Sequence, residues 1–231
     1  MENKINIWIG NFWYYNYSLI ETLNHLEKFT WFNWVEIVVK HWYIFSEIEL
    51  NKLLKYKYNT LHLIWFTKND IDWIKYCIKT IPNFHHFTLH PDATDFNSLT
   101  KDIEKYISFE NMDTRKVSHK QPEEMVKLFE KFSEAWFTFD INHAEENKID
   151  YSEFDKVKFP NKIHFSVVNK NYYRNYPEID TPHAMSCLEK WFNFNLKKYK
   201  DIIITIEWVF VPWRDDLIQK EIDLVNQLLN A

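Results

Sequence analysis

Glycine is almost missing from this chain: Gly10 is the only one in 231 residues, where a typical domain has about 7%. That scarcity excludes whole classes of function. A dinucleotide-binding fingerprint needs three glycines and a phosphate-cradling P-loop needs two, because only a backbone without Cβ closes tightly on phosphate oxygens. The strained Gly-x-Ser-x-Gly turn of the serine hydrolases is excluded for the same reason. Cysteine is scarce too. Cys77 and Cys187 sit far apart in helix-like stretches, which does not make the close-spaced framework of a small secreted fold and reads as two reduced, structural thiols. No run reaches the ~18 apolar residues of a membrane span, and the opening MENKINIWIG is too polar for a signal peptide. A cytoplasmic protein without a membrane partner is expected. Excess positive charge is lacking as well: the formal charge is −5, so nothing drives the chain toward nucleic acid directly.

What is abundant is aromatic. Phe, Tyr and Trp make up 19% of the residues, and each ring can bury about 150–250 Å², so a large core is assured. Ile5, Ile7 and Ile9 alternate with Asn6, Trp8 and Gly10, the period of a strand, and Ile20, Leu23, Leu26 and Phe29 then mark a helix face. Three further stretches share one spacing: Trp34, Ile37, Val39 and Trp42; Tyr58, Leu61, Leu63 and Phe66; Phe84, Phe87, Leu89 and Asp92. Each precedes a helix-like segment, which predicts stacked βα units with a mainly parallel sheet. The third copy, IPNFHHFTLHPD, resembles a degenerate leucine-rich repeat, with Asp92 where that family usually has Asn or Cys. Trp42 and Phe66 stand at that position in the other two copies, which favours a compact three-layer α/β sheet over a horseshoe.

Residues 108–124, SFENMDTRKVSHKQPEE, read as a polar linker. Beyond it come a helix stripe of Met125, Leu128, Phe129, Phe132 and Trp136, a strand at KIHFSVV, a helix around Met185, Leu188, Phe192 and Leu196, a buried strand at IIITIEWVFV and a closing amphipathic helix. The expected organisation is an α/β protein. Residues 1–107 form a βα-repeat half, 108–124 the linker and 125–231 an α+β half, which either stands alone or completes a single domain.

Three groups of residues carry candidate chemistry. His86, His90 and Asp92 combine imidazole with carboxylate, the donor set of a zinc or iron site, although two pleats of about 3.3 Å per residue separate the histidines in a strand. Residues 142–153 imitate the second half of a calcium-binding EF-hand loop, but Ala144 removes an oxygen ligand the loop requires. Acidic residues interleaved with rings, namely Asp150, Tyr151, Glu153 and Asp155, then Trp213, Asp215 and Asp216, suit a surface that steers and anchors a basic protein partner.

The amino-terminal KINIWIGNF, through Trp8, Ile9, Gly10, Asn11 and Phe12, is similar to the start of the bacterial immunity protein 22 family. That resemblance implies a cytosolic antidote without catalytic residues or cofactor, which binds a cognate protein toxin, possibly a basic nuclease, and occludes its active surface. The leading expectation is therefore a non-enzymatic toxin inhibitor with no metal. The alternatives are a metal-dependent enzyme using His86, His90 and Asp92, and a repeat-type interaction scaffold.

Overall fold

The alternation in the repeated stretches does produce parallel strands, but the sheet closes on itself. The computed structural model describes residues 5–8, 18–29, 34–39, 42–168, 183–184, 194–207 and 215–230. In chain order the elements are β1 (Ile5–Trp8), α1 (Leu19–Leu26), β2 (Trp34–Val38), α2 (Glu47–Leu53), β3 (Tyr58–Leu63), α3 (Ile71–Thr80), β4 (Phe84–Leu89) and α4 (Lys101–Glu104). Then follow β5 (Ile107–Glu110), α5 (Pro122–Lys131), β6 (Trp136–Asp140), α6 (Ile141–Glu146), β7 (Lys162–Phe165), the short antiparallel pair β8 (Val167–Val168) and β9 (His183–Ala184), β10 (Ile203–Ile206) and α7 (Asp215–Asn230). Eight of the strands, in the order β1-β10-β7-β6-β5-β4-β3-β2, make a closed barrel in which every pairing is parallel. This is the (β/α) barrel architecture, whose functional residues gather where the strands end.

Period-two alternation sorts the side chains into two environments. Val35, Ile37, Leu61, Leu63, Phe87, Leu89, Phe109, Phe137, Phe139, Ile163, Phe165, Ile204 and Ile206 face outward and join one apolar core with Leu23, Ile74, Met125, Leu128 and Ile222 of the helices. The alternate positions face the lumen, and they are polar: Glu36, Thr60, His62, His86, Thr88, Ser108, Glu110, Thr138, Asp140, Lys162, His164 and Thr205 are all buried. Barrels of this architecture usually fill that space with branched aliphatic layers. Here rings close the end where the strands begin, with Trp34 against Tyr58 at 3.9 Å and His85 against Trp136 at 4.6 Å between ring centroids.

Helix starts and turns are built without glycine. Ser18 with Glu21, and Ser46 with Glu49, form capping boxes at α1 and α2, in which the hydroxyl accepts from a free backbone N–H and the carboxylate accepts from the cap's own N–H. Trp42, Asn83, His119 and Lys148 take positive φ, at 63°, 52°, 60° and 58°, a conformation that costs a residue with a Cβ about 1–2 kcal/mol. Asn83 offsets that cost by donating from Nδ2 to the Tyr56 carbonyl at 2.9 Å.

Four expectations need correction. Leucine-rich-repeat spacing arises from β2, β3 and β4 of a barrel, not from a horseshoe or an open three-layer sheet. The stretch read as a linker contributes Ser108, Phe109 and Glu110 to β5 and Pro122 to the start of α5, and β6, β7 and β10 join the same parallel barrel rather than a separate α+β arrangement. Trp136 starts β6, because α5 ends when Phe132 leaves helical geometry at φ −118°, ψ 70°. The reading that the calcium-loop imitation fails in its first half, by contrast, agrees with the structure, where residues 142–146 lie in helix α6. Among the described residues, no helix is long and apolar enough to cross a membrane.

The buried Cys77 on α3 has its thiol pushed up to about 12 by burial. At about pH 8 an alkylating reagent, which attacks the thiolate, should leave the peptide containing Cys77 unmodified in the native protein and modify it fully in denaturant. Rapid native-state labelling, read by mass spectrometry, would show that α3 detaches from the barrel.

Candidate metal centre

Each strand from β2 to β7, and β10, delivers a polar side chain at or near its C-terminal end. Glu110 ends β5, Asp140 ends β6, His164 lies one residue inside the end of β7, and Glu207 follows β10 directly. Barrel closure makes these four neighbours: their ligating atoms all lie within 4.8 Å of one another. His164 Nδ1 stands 3.0 Å from Glu110 Oε1 and 3.9 Å from Asp140 Oδ2, and it also contacts Glu207 Oε2. Glu110, Asp140 and His164 are fully buried and Glu207 is 4% exposed.

Three carboxylates in so small a buried volume repel one another and have lost their water. Glu110 Oε2 and Asp140 Oδ2 are buried oxygens that face only imidazole nitrogens at the edge of hydrogen-bonding distance, His62 Nε2 at 3.2 Å and His143 Nδ1 at 3.4 Å. Burial, together with the charges of Glu207 and Glu110, raises the Asp140 carboxyl well above its ordinary value. Burial acts against charge on His164, but Glu207, Glu110 and Glu36 outweigh it and hold the imidazole well above its usual range. Three oxygen donors and one imidazole nitrogen make a set that suits a divalent cation such as zinc, manganese or iron.

A second set adjoins the first. His62 Nε2 and His90 Nε2 stand 2.9 Å apart, and Glu110 Oε2 lies 3.2 Å from the former and 3.5 Å from the latter. The two oxygens of Glu110 are thus divided: Oε1 faces His164 and Oε2 faces the histidine pair. Burial keeps His90 neutral, lowering it to about 3 against the opposing pull of Glu110, and a neutral imidazole is the form that ligates a metal.

Local structure fixes the ligands. Asp140 uses Oδ1 to cap α6, accepting from the His143 backbone N–H at 2.9 Å, which leaves Oδ2 to the cluster. The Asn111 side chain ties β5 to β6, with Nδ2 donating to the Asp140 carbonyl at 2.9 Å and Oδ1 accepting from the Asp140 N–H at 2.8 Å. His143, one turn into α6, lies 3.4 Å from Asp140 Oδ2 and 3.6 Å from Glu110 Oε1. Burial disfavours its charge, yet Asp140, Glu110 and Asp113 raise it to about 9, so it is an imidazolium at neutral pH. Beneath the cluster, Lys162 is fully buried against Glu36 and the Thr88 hydroxyl. Removing one partner of such a pair alone typically costs about 3–5 kcal/mol.

No known family model matches this chain, and neither does any curated protein. The ligand set rests on geometry alone.

The structure separates the residues singled out from sequence. Of His86, His90 and Asp92, only His90 reaches the cluster. His86 lies deeper in the barrel beside Trp136 and His85, and Asp92 pairs with Lys116 at 3.7 Å. The acidic, aromatic group is internally paired at the surface: Asp150 caps a short 3-10 helix through Ser152, Glu153 contacts Lys156, Asp155 contacts Lys198, and Asp216 stands 3.9 Å from Lys220. Asp215 meets His25 at 2.9 Å and Lys28 at 3.2 Å, and Tyr151 packs edge-on against Phe194. Trp213, Gly10, Asn11, Phe12 and Cys187 lie outside the described residues, while Trp8 ends β1. Sequence reading missed Glu36, His62, Glu110, Asp140, Lys162, His164 and Glu207. Their signal was a charged or imidazole residue at the lumen-facing positions of otherwise apolar strands, repeated from unit to unit.

The raised Asp140 carboxyl has a consequence for stability. The folded state holds this proton more tightly than the unfolded chain, so above the ordinary value of 3.8 the group increasingly destabilises the fold as pH rises. In chelator at neutral pH, Asp140→Asn should therefore melt several degrees higher than the parent and show a weaker fall in stability with rising pH, because Asn still caps α6. Added divalent metal should reverse the ranking. Equal or lower melting of the variant in chelator would refute carboxylate crowding as the cost.

Proposed function

We propose that this protein is a metal-dependent hydrolase with a two-ion centre at the barrel mouth. The observation that carries the reading is the divided carboxylate of Glu110, one oxygen toward the Asp140, His164 and Glu207 set and the other toward His62 and His90. A bridging carboxylate between two cations has this disposition. Cations would neutralise the buried acids, and a metal-bound water reaches a pKa near about 7, so that hydroxide is available at neutral pH. His143, protonated at neutral pH, donates from Nδ1 to the Asn111 carbonyl at 2.8 Å, and its positive charge beside the carboxylates would steady developing negative charge. Small esters and phosphoesters are the substrate class this chemistry serves.

The toxin-inhibitor reading draws on the WIGNF stretch and the acidic surface. The buried ligand set favours an enzyme, since inhibition by a surface offers no reason to place three carboxylates inside a barrel. It also replaces the His86, His90 and Asp92 set with one drawn from six strands.

Protein prepared without chelator should carry close to two divalent ions by elemental analysis, and should hydrolyse a nitrophenyl phosphate mono- or diester. Glu110→Gln should lose both ions and at least about 100-fold in rate, whereas His62→Ala should lose one ion and keep the other. Metal-free protein that stays metal-free on incubation with zinc or manganese would overturn the proposal.

A further inference from the structure

Glu36 is buried and belongs to β2, across the lumen from β7; the two-ion reading does not use it, although one of its oxygens lies within 4.8 Å of ligating atoms of His62 and His164. Its two oxygens are divided between two tasks. Oε2 accepts from Thr60 Oγ1 at 3.0 Å, from Thr88 Oγ1 at 3.0 Å and from Lys162 Nζ. Oε1 stands 2.8 Å from His164 Nε2, the ring nitrogen opposite the one that faces Glu110, Asp140 and Glu207. Three donors from three strands thus clamp one end of a carboxylate whose other end meets a metal-ligating histidine.

Building on the metal reading above, we infer that Glu36, clamped by Lys162, is a positioning residue for the cation site: its Oε1 faces His164 Nε2 and favours the tautomer that keeps the proton on Nε2, which leaves the Nδ1 lone pair to the metal. An imidazole has one lone pair when neutral, and which nitrogen carries it is set by what the other nitrogen donates to. Carboxylates behind ligating histidines perform this function generally, and their loss typically costs 10–100-fold in metal affinity. Lys162 is the unusual part. A fully buried lysine ordinarily needs a strong reason, and here its ammonium and the two hydroxyls leave Glu36 a single orientation, with Oε1 toward His164. Gln in the same place cannot satisfy both ends: turning its amide nitrogen to His164 opposes the Nε2 proton, and turning it to Lys162 sets donor against donor.

Three variants separate positioning from mere stability: Glu36→Gln, Lys162→Met, and the double variant, in which no buried ammonium is left without its anion. Each is measured for thermal melting, zinc affinity by competition with a chromophoric chelator, and the imidazole nitrogen that binds zinc by long-range proton-nitrogen correlation. In the parent, zinc should sit on His164 Nδ1 with the proton on Nε2. Glu36→Gln should bind zinc 10–100-fold more weakly at the site containing His164, and the double variant should regain melting temperature without regaining affinity. Parent-like affinity and tautomer in Glu36→Gln, or affinity that follows melting temperature through all three variants, would overturn the inference while leaving the two-ion reading intact. A parent protein that binds no zinc would overturn both.

Discussion

Burying negative charge is the constraint on which this structure depends. Glu36, Glu110 and Asp140 have no exposure to solvent and Glu207 has almost none; left alone, carboxylates in such a place would take protons or open the barrel to water. The fold answers in two ways. For Glu36 it supplies a countercharge from within, through Lys162, His164 and His62, which overcome the penalty of burial and hold the group well below the ordinary carboxylate value. For Asp140 it supplies too little, and burial beside Glu207 and Glu110 drives the group the opposite way. Two equally buried acids are thus held in opposite ways, one compensated from within the fold and the other crowded by its neighbours.

That division is possible because the sheet closes. Lys162 on β7 reaches Glu36 on β2 and Thr88 on β4, contacts across a lumen that an open sheet would not have. Polar lumen and apolar exterior follow from one alternation: in WFTFD, Phe137 and Phe139 enter the helix-facing core while Trp136, Thr138 and Asp140 line the interior. A lumen of hydroxyls, one lysine and acids is a poor source of hydrophobic stabilisation. The outer layer compensates, with Phe109, Phe129, Phe137, Phe139 and Phe154 packed ring against ring, which gives the aromatic richness of the chain a structural purpose.

Much of the frame was legible in sequence and the site was not, for a physical reason. The strand spacing around Ile37, Leu61 and Phe87 reports outward-facing residues, because those form the continuous apolar core, and it therefore located βα units and a parallel sheet. Closure depends on whether β10 meets β1, a pairing of residues nearly two hundred positions apart that no local pattern encodes. The stretch SFENMD looked like a linker because lumen-facing Ser108 and Glu110 break the apolar run that marks a strand, and IIITIEWVFV looked uniformly buried although its one carboxylate, Glu207, joins the polar cluster. His90 was visible because it sits in a histidine-rich stretch; its partners, His62 and Glu110, come from neighbouring strands and share no segment with it.

Shared ligands also link the centre to the integrity of the barrel. Glu110 belongs to both donor sets, and Asn111, the next residue, ties β5 to β6 through both atoms of its amide. Asp140 is at once a cap for α6 and a member of the cluster. A cation held by β5, β6, β7 and the end of β10 would therefore bridge strands that hydrogen-bond in an unbroken series, β5-β6-β7-β10, on the same arc of the barrel. Binding free energy realised only when that arc is formed is folding free energy. The short strands of this arc, with four residues each in β5, β7 and β10, have few ladder bonds to hold them, so a cation bound by these side chains would be well placed to hold the arc together.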